Sequence, residues 1–194
     1  MTLSTALPSH EATPSYFDAL CIAMELLVHE PNAIFLGQGV GPAGGTTMSD
    51  TFKNVPVDKR LEMPVAEDMQ MGMAIGMAMN GMLPVCIFPR WNFLLLAANQ
   101  LVNHLDRMPL YAGIQPKVII RTAIPSTVPF NPGPQHDDDF TQAFRLMCRT
   151  VNFVRMRGAD EVLPAYQAAL ESPISTVLIE YTDFYKDARA NEHR

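Results

Sequence analysis

The sequence predicts an α/β domain in which a mostly parallel central sheet lies between two layers of helices. Short apolar segments alternate with helical patterns of roughly 10–15 residues, which is typical of parallel sheets. The segments VIIR (118–121) and TVLIE (176–180) are apolar almost throughout rather than alternating with polar residues, as expected of strands covered on both faces. The length of 194 residues corresponds to one such domain.

Apolar residues first recur at helical spacing over 16–29, and Pro31 and Asn32 end that predicted helix. The other predicted helices are 93–105, 140–149 and 160–170, and the predicted strands are 33–36, 85–88, 118–121, 153–156 and 176–180. Residues 1–13 mix Ser, Thr and Pro without a period. We therefore expect a flexible N-terminal arm (1–13), one domain (14–186) and a C-terminal tail (187–194).

Charge and cysteine content argue against several classes of protein. The formal net charge is −6 and no Lys or Arg precedes Lys53, so we expect neither a nucleic-acid partner nor a polybasic membrane anchor. The three cysteines are far apart and form no C-x-x-C pair, which argues against a disulfide framework or structural zinc. Reduced thiols and the lack of a secretory pattern at the N-terminus predict a cytoplasmic protein.

The run from 69 to 89 carries no charged residue and is long enough to span a membrane. Gly81 and Pro84 interrupt it, and Gln70 and Asn80 are polar. A buried helix followed by a turn and a buried strand is the better interpretation.

Two long irregular stretches, 38–57 and 122–139, each follow the carboxyl end of a predicted strand, where open α/β sheets bind ligands. The first contains Gly39, Gly41 and Gly44 in the spacing G-x-G-x-x-G, which is found in dinucleotide-binding turns. That motif needs a helix starting at its last glycine, and no sustained apolar period follows here. Nicotinamide or flavin binding therefore stays an alternative.

Glu67 and Asp68 stand where the apolar helix begins, a position at which acids also favour the helix dipole without any further role. Gly72 and Gly76 lie four residues apart on one face of that helix, where they allow another backbone to come close. Each glycine costs about 1 kcal/mol against alanine in a helix, so a close helix crossing, between subunits, would offset the cost.

Trp91 and Phe93 follow a predicted strand and are either core residues or a stacking wall for a planar ring. His136 lies in a Pro/Gly loop before three aspartates and could be a solvated residue, a metal ligand or a proton donor. The aspartates also suit the N-terminus of the next helix. No second histidine lies at metal-ligand spacing, so we expect no metal ligands in this chain.

Taken together and in order, these motifs resemble the pyrimidine-binding domain of thiamine-diphosphate enzymes. The resemblance runs from about Tyr16 to Tyr185, is strongest to the beta subunit of 2-oxo-acid dehydrogenases, and is more distant to the central domain of transketolase. The segments that carry it are LGQGVG (36–41), MPVAED (63–68), GMLPV (81–85), FPRWNFLLLAANQLVN (88–103), YAGIQPKVIIRT (111–122) and GPQHDD (133–138).

The resemblance implies thiamine diphosphate as the cofactor and assigns roles to five residues. Glu67 matches the glutamate that hydrogen-bonds the aminopyrimidine ring and promotes its imino tautomer. Phe93 matches the aromatic residue that stacks on that ring, with Trp91 in the nearby wall. His136 matches the loop histidine that faces the substrate. Gln38 stands where related beta subunits carry a glutamate, and its neutral amide cannot relay a proton.

The resemblance also implies a partner. No G-D-G followed by an asparagine about thirty residues later, the family's magnesium–diphosphate motif, occurs in the chain, and related subunits continue into a further domain. We therefore expect an alpha-type subunit to hold magnesium and the diphosphate, most simply in an α2β2 assembly acting on a 2-oxo acid. A split transketolase subunit acting on a ketose and a non-catalytic regulatory homologue remain alternatives.

Overall fold

The computed structural model describes residues 14–125 and 131–185. The N-terminal arm and C-terminal tail expected from the sequence lie outside the described residues. The helices are α1 (Tyr16–Val28), α2 (Glu67–Met79), α3 (Trp91–Leu96), α4 (Met108–Tyr111), α5 (Thr141–Met147) and α6 (Ala159–Glu171). The strands are β1 (Ala33–Gly37), β2 (Arg60–Glu62), β3 (Leu83–Phe88), β4 (Ile119–Ile124), β5 (Asn152–Arg155) and β6 (Thr176–Tyr181).

Within the described ranges, six strands form one sheet in the order β2-β1-β3-β4-β6-β5, and every neighbouring pair is parallel. The α/β class and the parallel sheet predicted from the sequence are thus confirmed. Strand β2 was not predicted, because its three residues include two charged ones and give no apolar run. It pairs with β1, where Gly37 lies beside Glu62.

Successive residues of the strands pack into two separate cores, one on each face of the sheet. Phe35 contributes to the core under α1 and α6, whereas Leu36 contributes to the core under α2, α3 and α5. This alternation follows from the twofold period of a strand. Both faces are apolar, which is why the strand sequences read as continuous apolar runs.

A buried ion pair lies in the core under α1 and α6. Arg121 on β4 donates through Nε and Nη2 to the two carboxylate oxygens of Glu180 on β6, at 2.7 and 3.0 Å. The hydroxyls of Tyr166 and Tyr185 also donate to Glu180, and Arg121 Nη1 donates to Thr51 Oγ1 at 3.1 Å. Burial disfavours the charged guanidinium, but Glu180 outweighs burial and raises the pKa of Arg121.

The helix predicted over 93–105 is broken in the structure. It consists of α3 and a separate π-helical segment at Gln100–Leu105, whose end is marked by the Asp106 N–H donating to the Leu101 carbonyl at 2.9 Å. The fully buried Asp106 accepts N–H bonds from Arg149 and Thr150, each at 2.7 Å. This tertiary contact, which no local apolar pattern reveals, fixes where the segment ends.

The uncharged run 69–89 forms most of α2 and all of β3, joined by a turn at Gly81, where φ is +81°. This is the helix, turn and strand expected from the sequence. No helix among the described residues has both the length and the apolar character needed to cross a membrane. One side of α2 packs on the sheet, and the other leaves Met69 and Met73 exposed.

Candidate functional site

The strand order of the sheet reverses at β1, because β2 and β3 lie on opposite sides of it. From β1 the chain passes to β2 on one side, and from β2 it returns to β3 on the other side of β1. Such a switch point leaves a crevice at the carboxyl ends of the strands, where α/β proteins bind ligands. Four of the residues singled out in the sequence follow the four strands around this point, namely Gln38 after β1, Glu67 after β2, Phe93 after β3 and His136 after β4.

Glu67 and Gln38 meet at this edge. The Glu67 side chain begins α2 and is buried, with 5% of its surface exposed. Gln38 Nε2 donates to Glu67 Oε1 at 3.2 Å. The neighbouring acid Asp68 is instead exposed and accepts a hydrogen bond from Gln100 at 3.3 Å. The two acids at the start of α2 are therefore not equivalent, and only Glu67 faces the sheet edge.

Gln70, which no sequence motif marked as a site residue, connects the first turn of α2 to the end of β3 by a hydrogen bond. It is fully buried, and its Nε2 donates to the Ile87 carbonyl at 2.8 Å. Its Oε1 has no hydrogen-bond partner among the described residues. The backbones of β1 and β3 are also close here, since a Cβ at Gly37 would lie 2.5 Å from the Ile87 carbonyl oxygen.

Phe93 and His136 form a second pair. Their ring centroids are 5.8 Å apart with an interplanar angle of 57°, and both side chains are half-buried. The His136 N–H donates to the Gly133 carbonyl at 3.0 Å, which shapes the loop as a turn. Among the described residues, His136 Nδ1 and Asn92 Oδ1 are shielded and lack a hydrogen-bond partner. Asn92 was also missed as a site residue, although it lies within the motif that contains Phe93.

Trp91 is part of the core. Its side chain is 1% exposed, and its ring packs against Phe144 with centroids 5.3 Å apart. The structure therefore favours the core alternative for Trp91 over a place in a cofactor wall.

Of the three aspartates after His136, Asp139 serves the start of α5. Its Oδ1 accepts the Thr141 N–H at 2.9 Å, and its Oδ2 pairs with Arg155. Partial burial opposes ionisation, but the hydrogen bonds from Thr141 and Arg155 outweigh it and lower the pKa of Asp139.

The N–H groups of the glycine-rich turn after β1 already bind a carboxylate of the same chain. The N–H groups of Gly39 and Gly41 donate to the Glu62 carboxylate at 2.7 and 2.6 Å. Two short 3-10 turns, Ser49–Phe52 and Val57–Lys59, follow before β2, and no α-helix begins at Gly44. A dinucleotide-binding turn needs free N–H groups and a helix N-terminus for the pyrophosphate, so the structure argues against that alternative.

The residues at the switch point offer hydrogen-bonding groups and an aromatic ring to a planar polar ligand. A buried carboxylate and an amide offer hydrogen bonds, and the Phe93 ring offers a stacking surface. His136 Nδ1 and Asn92 Oδ1, which have no hydrogen-bond partner within the described part of the chain, could also bind a polar group. The described residues contain no group of three or more His, Cys, Asp or Glu side chains placed to hold a metal ion.

Comparison with known proteins agrees with this geometry. No protein-family model matches the chain. The chain is 33% identical to a pyruvate dehydrogenase E1 component subunit beta of Chaetosphaeridium globosum over 132 residues, covering 66% of this chain and 40% of that protein. It is 27% identical to subunit beta-3, chloroplastic, of Arabidopsis thaliana over 188 residues, covering 94% and 45%. The chain thus spans less than half the length of these curated relatives.

Two solved structures share the fold, each at 16% sequence identity. One is described as a split gene transketolase, inactive beta4 tetramer, with a TM-score of 0.56 over 86% of this chain and 50% of that chain. The other is a putative thiamin diphosphate-dependent enzyme from Mycobacterium smegmatis, with a TM-score of 0.61 over 88% and 31%. The resemblance found in the sequence is confirmed: the chain is a relative of pyruvate dehydrogenase E1 beta subunits and has the fold of the pyrimidine-binding domain of thiamine-diphosphate enzymes.

Proposed function

We propose that this chain is the pyrimidine-binding, beta-type subunit of a split thiamine-diphosphate enzyme that acts on a 2-oxo acid. The observation that carries the proposal is the buried Glu67 carboxylate, which Gln38 holds at the carboxyl edge of the sheet beside the switch point. A buried carboxylate is costly unless it is paired or used. A residue that merely favoured the helix dipole would be expected in solvent, as Asp68 is.

We assign separate roles in binding the cofactor and the substrate to the described residues. Gln38 occupies Glu67 Oε1, so we assign Oε2 to the ring nitrogen of the aminopyrimidine, where it would hold or release a proton. Phe93 would stack on the ring, and His136 Nδ1 would hydrogen-bond a substrate oxygen. The bound cofactor supplies the electron sink for cleaving a bond next to a carbonyl.

An alpha-type partner completes the proposed site. The described residues offer no cluster of hard oxygen ligands for magnesium, so we assign magnesium and the diphosphate to the partner. We assign its docking to the outer face of α2, which consists of Met69, Met73 and Gly76, whereas Gly72 lies against the Gln100 side chain of the same chain. Met69 and Met73 are exposed, and a Cβ at Gly76 would meet no atom of the described residues within 4 Å. An α2β2 assembly is the simplest arrangement with this contact.

Reconstitution of the complex with its alpha-type subunit tests the proposal. Glu67→Gln should abolish 2-oxo acid turnover while the complex still assembles, because the amide cannot exchange a proton with the ring. Asp68→Asn is the matched control on the same helical turn and should retain turnover. Turnover that survives Glu67→Gln would contradict a catalytic role and favour the regulatory alternative. Two-carbon transfer from a ketose, in place of 2-oxo acid turnover, would favour the transketolase alternative.

A further inference from the structure

We propose that Glu62 is a positioning residue for this site, which acts by filling an anion-binding turn at Gly39 and Gly41 and so fixes Gln38 against Glu67. That this positioning serves cofactor binding rests on the proposed function. The contacts themselves lie within one chain, so they can be tested without a cofactor or a partner.

The Glu62 carboxylate is bound by two backbone N–H groups, one to each oxygen. Gly39 N–H donates to Oε1 at 2.7 Å and Gly41 N–H donates to Oε2 at 2.6 Å. Backbone N–H groups that converge in a turn form a concave site for an anion, and bonds to a charged acceptor are stronger than neutral ones. In this protein the anion is supplied by the chain itself, from the last residue of β2.

At both glycines of this turn, a side chain would come too close to neighbouring atoms. Gly39 has φ of +71°, and a Cβ there would lie 2.6 Å from Thr46 Cγ2. A Cβ at Gly41 would lie 3.1 Å from Glu62 Oε2. Ser49 completes the turn, since its hydroxyl donates to the Gly39 carbonyl at 2.7 Å and accepts the Thr46 N–H at 2.9 Å.

The backbone of Gln38 is consequently held on both sides. Before it, the Gly37 carbonyl accepts the Met63 N–H at 2.8 Å, and Gly37 pairs with β3. After it, Gly39 is bound by Glu62 on its N–H and by Ser49 on its carbonyl. Because Gln38 is the single residue between these two anchors, its side chain is directed by them. Loss of the Glu62 carboxylate should leave Gly39 held by Ser49 alone, weaken the second anchor and change the contact between Gln38 and Glu67.

Nuclear magnetic resonance of the isotopically labelled full chain tests this inference. Glu62→Ala should shift the amide signals of Gly39 and Gly41 and also the side-chain NH2 signals of Gln38, although Gln38 and Glu67 are unchanged. Added formate, a carboxylate small enough for the vacated turn, should return all of these signals toward their wild-type positions. Glu171→Ala, an exposed glutamate at the end of α6, is the matched control and should leave them unchanged.

One further variant tests which contact depends on the other, and a second replaces Glu62→Ala if that variant does not fold. Glu67→Gln should shift the Gln38 NH2 signals but not the amides of Gly39 and Gly41, which shows the direction of dependence. If Glu62→Ala does not fold, Glu62→Gln serves instead, and it should shift at least one glycine amide because its NH2 group cannot accept a hydrogen bond. Unchanged Gln38 signals in the Glu62 variant, or no response of the glycine amides of Glu62→Ala to formate, would overturn the proposal. Failure to bind thiamine diphosphate would count only against the proposed function.

Discussion

Gln38 donates its side-chain N–H to the buried carboxylate of Glu67 at 3.2 Å, joining the end of β1 to the first turn of α2. Nothing in the spacing of these two residues, 29 positions apart, requires the contact. The parallel pairing of β1 and β2 produces it, because both residues follow strands that end at the same edge of the sheet.

Gln38→Leu should destabilise the protein, because the buried Glu67 carboxylate would lose its neutral donor. An unsatisfied buried polar group costs roughly 1–3 kcal/mol, more when it is charged, and the free energy of unfolding in urea should fall by at least that amount. Gln167→Leu, at an exposed position on α6, is the control and should change stability by less than about 0.5 kcal/mol. Equal stability of the two variants would show that the pair contributes nothing.

Gly76→Ala should have opposite effects on the isolated chain and on its assembly. A methyl group at Gly76 meets no atom within 4 Å in the part of the chain that the structure describes, so the better helix propensity of alanine should stabilise α2 by up to about 1 kcal/mol. The same methyl group should weaken association with the alpha-type partner by holding the two helices apart. Thermal unfolding and sedimentation of the reconstituted complex measure the two effects. Unchanged association would place the partner elsewhere.

Breaking the Arg121–Glu180 pair from one side should be costly. Arg121→Met leaves the Glu180 carboxylate buried without its counter-ion, and such changes cost about 3–5 kcal/mol in the free energy of unfolding. Adding Glu180→Leu should recover part of that loss, although Tyr166 and Tyr185 then lose their acceptor. A double variant less stable than Arg121→Met alone would contradict this account.

Asp139 should contribute stability that depends on pH. Its pKa is lower in the folded protein than the ordinary aspartate value, so the unfolded chain binds the proton more readily. The contribution is complete above about pH 4, the ordinary range of aspartate, and is lost as the pH falls through the lower folded value. Asp139→Asn should therefore be less stable than the wild type at neutral pH, and the difference should narrow on acidification. A difference that is constant with pH would contradict the assignment.

The fold could be predicted from the sequence because each face of the sheet is apolar. Strands such as VIIR (118–121) are identifiable from composition alone, and their alternation with helices implies parallel pairing. Strand β2 escaped prediction because a three-residue strand with Arg60 and Glu62 has no such pattern. The end of the π-helical segment at Leu105 has no local signal either, because a tertiary contact of Asp106 marks it.

The candidate site was predictable only where a motif carried the information. The resemblance singled out Gln38, Glu67, Phe93 and His136, and the structure brings them together as two contacting pairs. It also singled out Trp91, whose aromatic character suits core and cofactor wall equally, and only burial decides between them. The role of Glu62 depends on strand register, which the sequence does not specify for so short a strand.

Binding of the aminopyrimidine half of thiamine, used as its hydroxymethyl alcohol, tests the central claim most directly, because it requires neither the diphosphate nor the partner. Titration into the labelled full chain should shift the NH2 signals of Gln38 and the ring signals of Phe93, and Glu67→Gln should weaken the effect while Asp68→Asn should not. Shifts confined to other parts of the chain, or equal binding by Glu67→Gln and the wild type, would contradict the account.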